Sequence, residues 1–254
     1  MEDDTGTGLP ASLAAAWGRR ERPAKGPRPA LSLDRIVQAA ITVAEADGLA
    51  AVSMGRVAKE LGAGTMALYR YVGAKGELLA LMTDAAYGLP PAPDPDLDWR
   101  TGLARWARGV LEGYRRHPWL RHVPVESPPI LPNQMHWMED ALVALRTTGL
   151  TGPEKLSTVM LLAGYVRYWA QVTLDIAAAA GARGVTAEEA MSGYGQRLAL
   201  LVDAGRFPEL HGLIAGDLFA AEQEADPDAD FDFGLDRILD GVATLVAQRT
   251  GAPA

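Results

Sequence analysis

Side chains suited to DNA contact stand at helical spacing over residues 65–71. We predict a helix here in which Leu68 and Val72 face inward. The side chains that then face solvent are Thr65, Met66, Tyr69, Arg70 and Tyr71. A guanidinium pairs with guanine edges or phosphates, a phenol donates to phosphates, and a thioether packs on a thymine methyl. We therefore expect these residues to contact duplex DNA, with Lys75 close to its backbone. The alternative interpretation is a surface helix that carries ordinary aromatic residues.

A helix-turn-helix pattern positions these side chains. Ser53 is a good N-cap for a first helix, and Val57 and Ala58 then fall on its inner side. Gly62 follows where a left-handed residue ends the helix, a conformation that glycine adopts cheaply. A second helix begins near Thr65, and in a helix-turn-helix this second helix lies in the major groove. Ser53 is included among the DNA-contacting candidates.

A third helix is predicted ahead of this pair, over residues 33–48, with Ser32 as its N-cap. Its apolar positions form one stripe, made of Ile36, Ala39, Ala40, Val43 and Ala44. The sequence therefore predicts a three-helix DNA-binding domain over residues 31–88, in which the first helix braces the other two.

The flank before this domain is basic. Residues 17–28 hold five Lys and Arg against one acid, and prolines and glycine in the same stretch rule out a helix. We expect residues 1–30 to form a flexible basic arm that reaches phosphates or the minor groove, with Arg28 as a DNA contact. The alternative is an ordinary solvated tail.

Charge is distributed unevenly along the chain. The formal net charge is −8, yet residues 16–76 contain ten Lys and Arg against five Asp and Glu. Residues 81–254 contain fourteen against 23. Positive charge thus gathers where the DNA-reading pattern lies, which predicts salt-dependent binding confined to one end of the molecule.

The run from 52 to 79, VSMGRVAKELGAGTMALYRYVGAKGELL, resembles the DNA-binding domain of the tetracycline-repressor (TetR) family of bacterial regulators. The resemblance is strong over residues 31–88 and weaker at FDFGLDRILDGV, residues 231–242. It implies an all-α homodimer that represses transcription and releases its palindromic operator when a small molecule enters the larger domain. Met54 and Gly55 depart from the polar or basic residues that members often carry there, so a phosphate contact from these two side chains is not expected.

The remainder predicts a second helical domain over residues 97–250, after a linker rich in proline and aspartate. Helices are expected over residues 99–116, 133–148, 153–180, 186–204, 207–219 and 233–248, the fifth of them short or broken. Thr151 is expected to cap the third, and Thr186 with Glu189 forms a capping box before the fourth. No alternating strand pattern is present, so the fold class is all-α.

Two of these helices are expected to form a homodimer interface, over residues 153–180 and 233–248. The first is expected to present Val159, Met160, Ala163, Val166 and Ala170; the second presents Leu235, Ile238, Leu239, Val242, Leu245 and Val246. A twofold four-helix packing suits an operator with inverted half-sites. The alternative is a monomer that buries these sides in its own core.

Aromatic and methionine side chains in the second domain are candidates for an effector pocket. The ligand-binding candidates are Trp106, His117, Met135, Met138, Tyr165, Tyr168, Trp169 and Gln171. For each of them, the alternative is an ordinary place in the core. The effector is expected to be largely apolar or aromatic.

Several other functions find no support in the sequence. The chain contains no cysteine, its scattered histidines lack a ligand spacing, and no catalytic motif is present, so no metal, no cofactor and no enzyme activity are expected. Its first residues do not resemble a signal peptide and no apolar run is long enough for a membrane span, which favours a cytoplasmic protein without a membrane partner. The rival to an effector-responsive repressor is a DNA-binding regulator controlled by a protein partner.

Overall fold

The computed structural model describes residues 8–18, 31–92, 94, 96–216, 226 and 228–251. Within these ranges the chain forms helices and no strand. The α-helices are α1 (Ala11–Ala16), α2 (Leu33–Asp47), α3 (Met54–Glu60), α4 (Thr65–Leu68), α5 (Lys75–Tyr87), α6 (Trp99–Arg116), α7 (Pro132–Ala144), α8 (Gly152–Gly181), α9 (Ala187–Leu201), α10 (Pro208–Ala215) and α11 (Ala229–Thr250). Two 3-10 turns occur at Leu49–Ala51 and Pro118–His122.

Helices α2, α3 and α4 form the predicted three-helix arrangement, and local signals set their ends. The Ser32 hydroxyl accepts from the backbone N–H of Arg35 at the start of α2, and that of Ser53 accepts from Arg56 N–H at the start of α3. Gly62 has φ of +62°, the left-handed conformation expected after α3. The predicted caps and turn are therefore confirmed.

The N-terminal segment departs from the expected flexible arm. Residues Ala11–Ala16 form helix α1, which contacts α5 and buries Ser12 and Ala14. The Ser12 hydroxyl donates to the Glu77 carboxylate, and Trp17 Nε1 donates to the carbonyl oxygen of Ile130 at 2.9 Å. The expectation is corrected for this stretch, because long-range partners hold it against the fold. The basic residues of the arm, Arg28 among them, lie outside the described residues.

The chain divides into two compact units. The first unit holds the described residues up to Arg167 and those from Leu239 onward, and the second holds the described residues of Tyr168–Ile238. No described helix is long and apolar enough to cross a membrane.

Helix α6 occupies the predicted span, and the other helices of this region begin and end within a few residues of expectation. Asp98 caps α6 by accepting from the backbone N–H groups of Arg100 and Thr101. At α8, the Thr151 hydroxyl oxygen accepts from the backbone N–H of Glu154 at 3.5 Å, and the Glu154 carboxylate accepts from Thr151 N–H at 2.8 Å. The Thr186–Glu189 capping box at α9 is present. The two predicted caps are thus confirmed, because each depends on residues only three positions apart.

The side of α8 assigned to a dimer interface is corrected by the structure. Val159, Val166 and Ala170 are buried within the chain itself, whereas Met160 is 75% exposed. The apolar side chains that α8 presents to solvent are instead Leu156, Met160, Leu161, Tyr168 and Val172, with Gly164 between them. In α11, Leu235, Leu239 and Val242 are likewise buried. The prediction was wrong for these residues because helical periodicity marks apolar positions without telling which segment packs against them.

Candidate nucleic-acid interface and ligand region

Helix α4 is shorter than predicted, because it ends at Leu68 and residues 69–71 form a turn. Helix and turn together still present polar and apolar side chains to solvent while their other side closes the core. Leu68 and Val72 are fully buried. On the opposite side Met66 is 77% exposed and Tyr69 is 45% exposed, and Thr65 and Arg70 are exposed beside them. Arg70 makes no hydrogen bond or ion pair with the described part of the chain, so its guanidinium keeps all its donors for an external partner.

Tyr71 differs from its neighbours because its hydroxyl is already used. The hydroxyl donates to the carbonyl oxygen of Leu31 at 3.0 Å, and the side chain is half-buried. This bond ties the end of the α4 turn to the residue just before the Ser32 cap. The sequence analysis assigned this donor to a phosphate. In this structure it instead holds together the three-helix DNA-binding domain of residues 31–88, called the reading head below. A phosphate contact would require that bond to break.

The remaining candidates lie around α4. Ser53 is exposed and its oxygen accepts the cap hydrogen bond, which leaves its O–H free to donate outward. Lys75 is exposed at the first position of α5. Met54 is buried, and Arg56 is held by Asp47 at 3.2 Å and by Glu60 at 2.6 Å. The expectation that residue 54 makes no phosphate contact therefore agrees with its burial.

The described part of the reading head carries only a small excess of positive charge. Residues 31–76 contain five Lys and Arg against four Asp and Glu, so the wider excess comes from residues 16–30. Within the described head, Arg56 is paired with acids. Arg70 and Lys75 are thus exposed cations at the surface formed by α4 and the start of α5.

Helix α5 joins the head to the rest of the first unit through a buried carboxylate. Asp84 is 5% exposed, and its Oδ1 accepts from the backbone N–H of Gln134 at 2.9 Å. Its own carbonyl oxygen accepts from Asn133 Nδ2 at 3.0 Å. Asp84 therefore caps the start of α7 from another helix, because Leu131, at the N-cap position of α7, supplies no side-chain hydrogen bond. Burial raises the pKa of Asp84, and the hydrogen bonds from residues 133 and 134 oppose that rise.

Further polar contacts tie the head to α6, α7 and the turn between them. His117 Nδ1 lies 2.9 Å from Glu45 Oε1, which joins the end of α6 to α2. Trp137 Nε1 donates to the carbonyl oxygen of Gly88 at 3.0 Å, just after α5. These bonds and the Asp84 cap give the reading head a fixed attachment to the helices behind it.

The sequence analysis missed Asp84, although a signal was present. In α5, Asp84 lies three residues after Leu81 and two after Met82, on the apolar side of the helix. A single carboxylate on such a side predicts a buried polar partner, since an unpartnered one is costly. The identity of that partner, 50 residues further along the chain, could not be inferred.

The ligand-binding candidates are divided between the two units. In the first unit Trp106 is buried and its Nε1 donates to the Trp137 carbonyl oxygen at 2.8 Å, while His117 is paired with Glu45. Met135, Met138 and Tyr165 are half-buried. In the second unit Trp169 lies with its ring centroid 6.0 Å from that of Phe231, and Tyr168 and Gln171 are exposed. The polar atoms of Trp106 and His117 thus have partners within the chain.

A small open pocket lies elsewhere in the first unit, between α6, α7 and the linker. Its volume is about 90 Å³, and Arg105, Asp140 and Arg146 supply its charged groups. Arg105 pairs with the buried Asp140 at 3.1 Å. None of the eight ligand-binding candidates lines this pocket. Ligand sites usually enclose about 300–1,000 Å³, so it is too small for a drug-sized effector.

The reading head, the capped helices and the match to two family models define the class of protein. Residues 36–82 match the family model described as bacterial regulatory proteins, tetR family, and residues 91–246 match the tetracyclin repressor-like C-terminal domain. The chain is a DNA-binding regulator of the helix-turn-helix class. It belongs to the TetR family, which confirms the resemblance and the all-α fold inferred from the sequence.

Similar proteins come from actinomycete bacteria. The chain is 42% identical over 256 residues to the HTH-type transcriptional repressor DrrR1 of Streptomyces coeruleorubidus, covering 99% of this chain and 92% of that protein. Ligand-free ActR of Streptomyces coelicolor superposes with a TM-score of 0.70 at 28% identity, over 87% of this chain and 99% of ActR. ActR in complex with actinorhodin gives 0.68 at 29% identity, over 85% and 97% of the two chains.

Proposed function

We propose that this protein is a transcriptional repressor that binds a palindromic operator as a homodimer and is released by a small, largely apolar or aromatic effector. The observation that carries the DNA-binding part is the outer side of α4 and of the turn after it. There Arg70, which bonds to none of the described residues, is exposed together with Met66 and Tyr69. Membership of the TetR family and 42% identity to the repressor DrrR1 support repression. Thr65, Ser53, Lys75 and the arm residue Arg28 complete the proposed DNA contacts.

The proposed dimer uses the exposed side of α8 together with α11. Leu156, Met160 and Leu161 expose apolar surface on α8, and a side chain added at Gly164 would meet nothing within 4 Å. Gly241 in α11 is equally open. Apolar side chains around glycines allow two helices to approach closely and bury that surface. A twofold assembly then carries two α4 helices, as an inverted repeat requires.

The effector part of the proposal draws on ActR, whose solved structures include complexes with actinorhodin and (S)-DNPA. By analogy, we place the effector of this protein in the helical region after α5. The aromatic and methionine candidates of the first unit, Trp106, His117, Met135, Met138 and Tyr165, are proposed as its surroundings. Tyr168, Trp169 and Gln171 belong to the second unit and stay sequence predictions.

Release is proposed to act through α5. This helix begins at the head with Lys75 and is fixed to α7 by Asp84. A ligand that shifts α6 or α7 therefore shifts α5, and the distance between the two α4 helices of the dimer changes. A small movement suffices, because both heads must match half-sites about one helical turn apart.

The DNA-binding proposal is tested by fluorescence anisotropy on the full chain, with the DNA upstream of its own gene and a random duplex as competitor. We expect Arg70→Ala to weaken specific binding about tenfold or more, since a bidentate guanine contact contributes about 1–3 kcal/mol. Tyr69→Phe should weaken it less, and Arg183→Ala, which removes the same charge in the second unit, serves as the control. Equal binding of upstream and random DNA by the wild type would contradict the proposal.

The effector proposal is tested by a thermal-shift screen with antibiotics, dyes and fatty acyl compounds, followed by operator release. A compound that raises the melting temperature and lowers operator affinity supports it. Release by a protein partner, with no response to any compound, would favour the rival regulator that senses no small molecule.

A further inference from the structure

A buried donor in the first unit lacks an acceptor. Trp119 lies in the 3-10 turn Pro118–His122 and is 4% exposed. Its indole Nε1–H has no hydrogen-bond partner among the described residues, whereas the indoles of Trp106 and Trp137 both donate to backbone carbonyls. Burying a donor without an acceptor is costly, so this indole N–H is available to an acceptor from outside the chain.

A second unused donor lies on a tyrosine pair. The hydroxyl oxygens of Tyr87 and Tyr114 are 3.4 Å apart, and their rings meet edge-on with centroids 6.4 Å apart. Burial raises the pKa of Tyr87 far above its usual range, so its hydroxyl stays protonated. Since one phenol donates to the other, the accepting phenol keeps an O–H that finds no acceptor among the described residues.

A positive charge accompanies these donors. Arg167 on α8 donates through Nη2 to the carbonyl oxygen of Val123 at 2.7 Å. Val123 directly follows the turn that carries Trp119. Arg167 is also close enough to Tyr87 for its charge to oppose the rise in that phenol's pKa. The guanidinium is thus bonded to the residue that follows the Trp119 turn, and its charge acts on Tyr87.

We propose that Tyr87, Tyr114, Trp119 and Arg167 form a donor cluster that binds an acceptor oxygen of the effector. This inference rests on the proposed function, in which the first unit takes up a small molecule. The cluster offers O–H and N–H groups and a positive charge, so its complement is a carbonyl, phenolate or carboxylate oxygen. A ligand oxygen bound there contacts α5 through Tyr87, three residues after the Asp84 cap.

Three probes with the same three-ring outline test the inference on the full-length protein by equilibrium dialysis. Anthraquinone-2-carboxylate carries carbonyls and a carboxylate, 2-methylanthraquinone carries carbonyls alone, and 2-methylanthracene carries neither. We expect the two oxygen-bearing probes to bind about tenfold or more tightly than 2-methylanthracene, the gain typical of a satisfied buried hydrogen bond. Equal affinity for all three, or no binding of any, overturns the donor cluster.

Variants then assign the donors. Trp119→Phe and Tyr114→Phe should each weaken the oxygen-bearing probes about five- to tenfold and leave 2-methylanthracene unchanged. Arg167→Gln should weaken anthraquinone-2-carboxylate more than 2-methylanthraquinone. Trp137→Phe is the matched control: its indole already donates to Gly88, so its loss should lower the melting temperature without changing the preference for oxygen. A Trp119→Phe protein that melts differently but keeps that preference shows a purely structural role and overturns the assignment.

Operator binding by the same preparations separates the two proposals. If the wild type binds its operator but shows no preference among the probes, only the donor cluster is wrong. If the wild type shows no specific operator binding, the proposed function itself fails, and a preserved oxygen preference would then assign a ligand site in a protein with another role.

Discussion

At the scale of single residues, Asp84 shows how one side chain connects two helices of different parts of the chain. Its carboxylate supplies the acceptor that the start of α7 lacks, and it does so from a buried position on α5. Burial raises its pKa, so ionisation is less favourable in the folded chain than in the unfolded one. The link from the head to α7 therefore carries an electrostatic cost at neutral pH.

We predict that Asp84→Asn stabilises the protein at neutral pH. The amide oxygen still accepts from Gln134 N–H, and the cost of a buried charge is removed. For an acid whose folded pKa is raised, that cost is fully present above the folded pKa and absent below the unfolded value of 3.8. The variant should therefore melt above the wild type at pH 7, with the difference disappearing as the pH falls below that value.

The control for this prediction is Asp84→Ala, which removes the acceptor as well as the charge. It should lose about 1 kcal/mol through the missing cap. A melting temperature for Asp84→Asn below that of the wild type at pH 7, measured by calorimetry, would show that the charge itself stabilises α7.

At the scale of elements, the turn between α3 and α4 depends on one backbone conformation. Gly62 has φ of +62°, which an L side chain adopts only with strain, whereas Gly64 has φ of −78°. A side chain at either position would meet no atom within 4 Å. The two glycines therefore differ in backbone conformation and not in available space.

We predict that Gly62→Ala lowers the free energy of unfolding by about 1–2 kcal/mol, because alanine is strained in the left-handed region. Gly64→Ala should lower it less, because φ of −78° suits alanine and only the advantage of glycine at the N-cap of α4 is lost. Chemical denaturation of both variants measures the difference. Equal losses of unfolding free energy in the two variants would show that the left-handed conformation of Gly62 is not the cause.

The start of α8 offers a second test at this scale. Arg249, followed by Thr151, lowers the pKa of Glu154 to about 2 through hydrogen bonds. Because the folded pKa is depressed, the stabilisation is present above the unfolded value of 4.5 and is lost as the pH falls toward about 2.

We predict that Glu154→Gln lowers the melting temperature at pH 7 and that the gap to the wild type narrows below pH 4.5. Glu188→Gln, in the first turn of α9 and outside its capping box, is the control. A gap that stays constant with pH would mean that the charge on Glu154 does not contribute.

At the scale of the whole molecule, two exposed methionines allow assembly and DNA binding to be separated. Met160 on α8 and Met66 on α4 are 75% and 77% exposed, so neither contributes to the core of its own chain. The proposed function places Met160 at a subunit contact and Met66 at the DNA.

We predict that Met160→Glu converts the dimer to a monomer at micromolar concentration, because it buries a charge in an apolar interface. Met66→Glu should remain dimeric and lose operator binding through repulsion from phosphate. Light scattering after gel filtration measures the mass, and anisotropy measures DNA binding. A monomeric wild type, or a dimeric Met160→Glu protein, would contradict the α8 interface.

Much of the fold was determined by the sequence alone, because the signals are local. The caps Ser32, Ser53 and Thr186 act on backbone groups three residues away, and a left-handed glycine ends α3. Helix α6 fills its predicted span for the same reason. These features require no knowledge of the rest of the chain. The family was inferred separately, from the resemblance carried by the run over residues 52–79.

Only the tertiary structure decided which groups are left for partners. The Tyr71 hydroxyl is used by Leu31, 40 residues away, and Asp84 caps a helix 50 residues further on. The tertiary structure also decided which apolar side of α8 is buried, and it left the Trp119 indole without a hydrogen-bond partner among the described residues. Each outcome depends on contacts between segments distant in sequence, and helical periodicity carries no information about which distant segment packs against a given side.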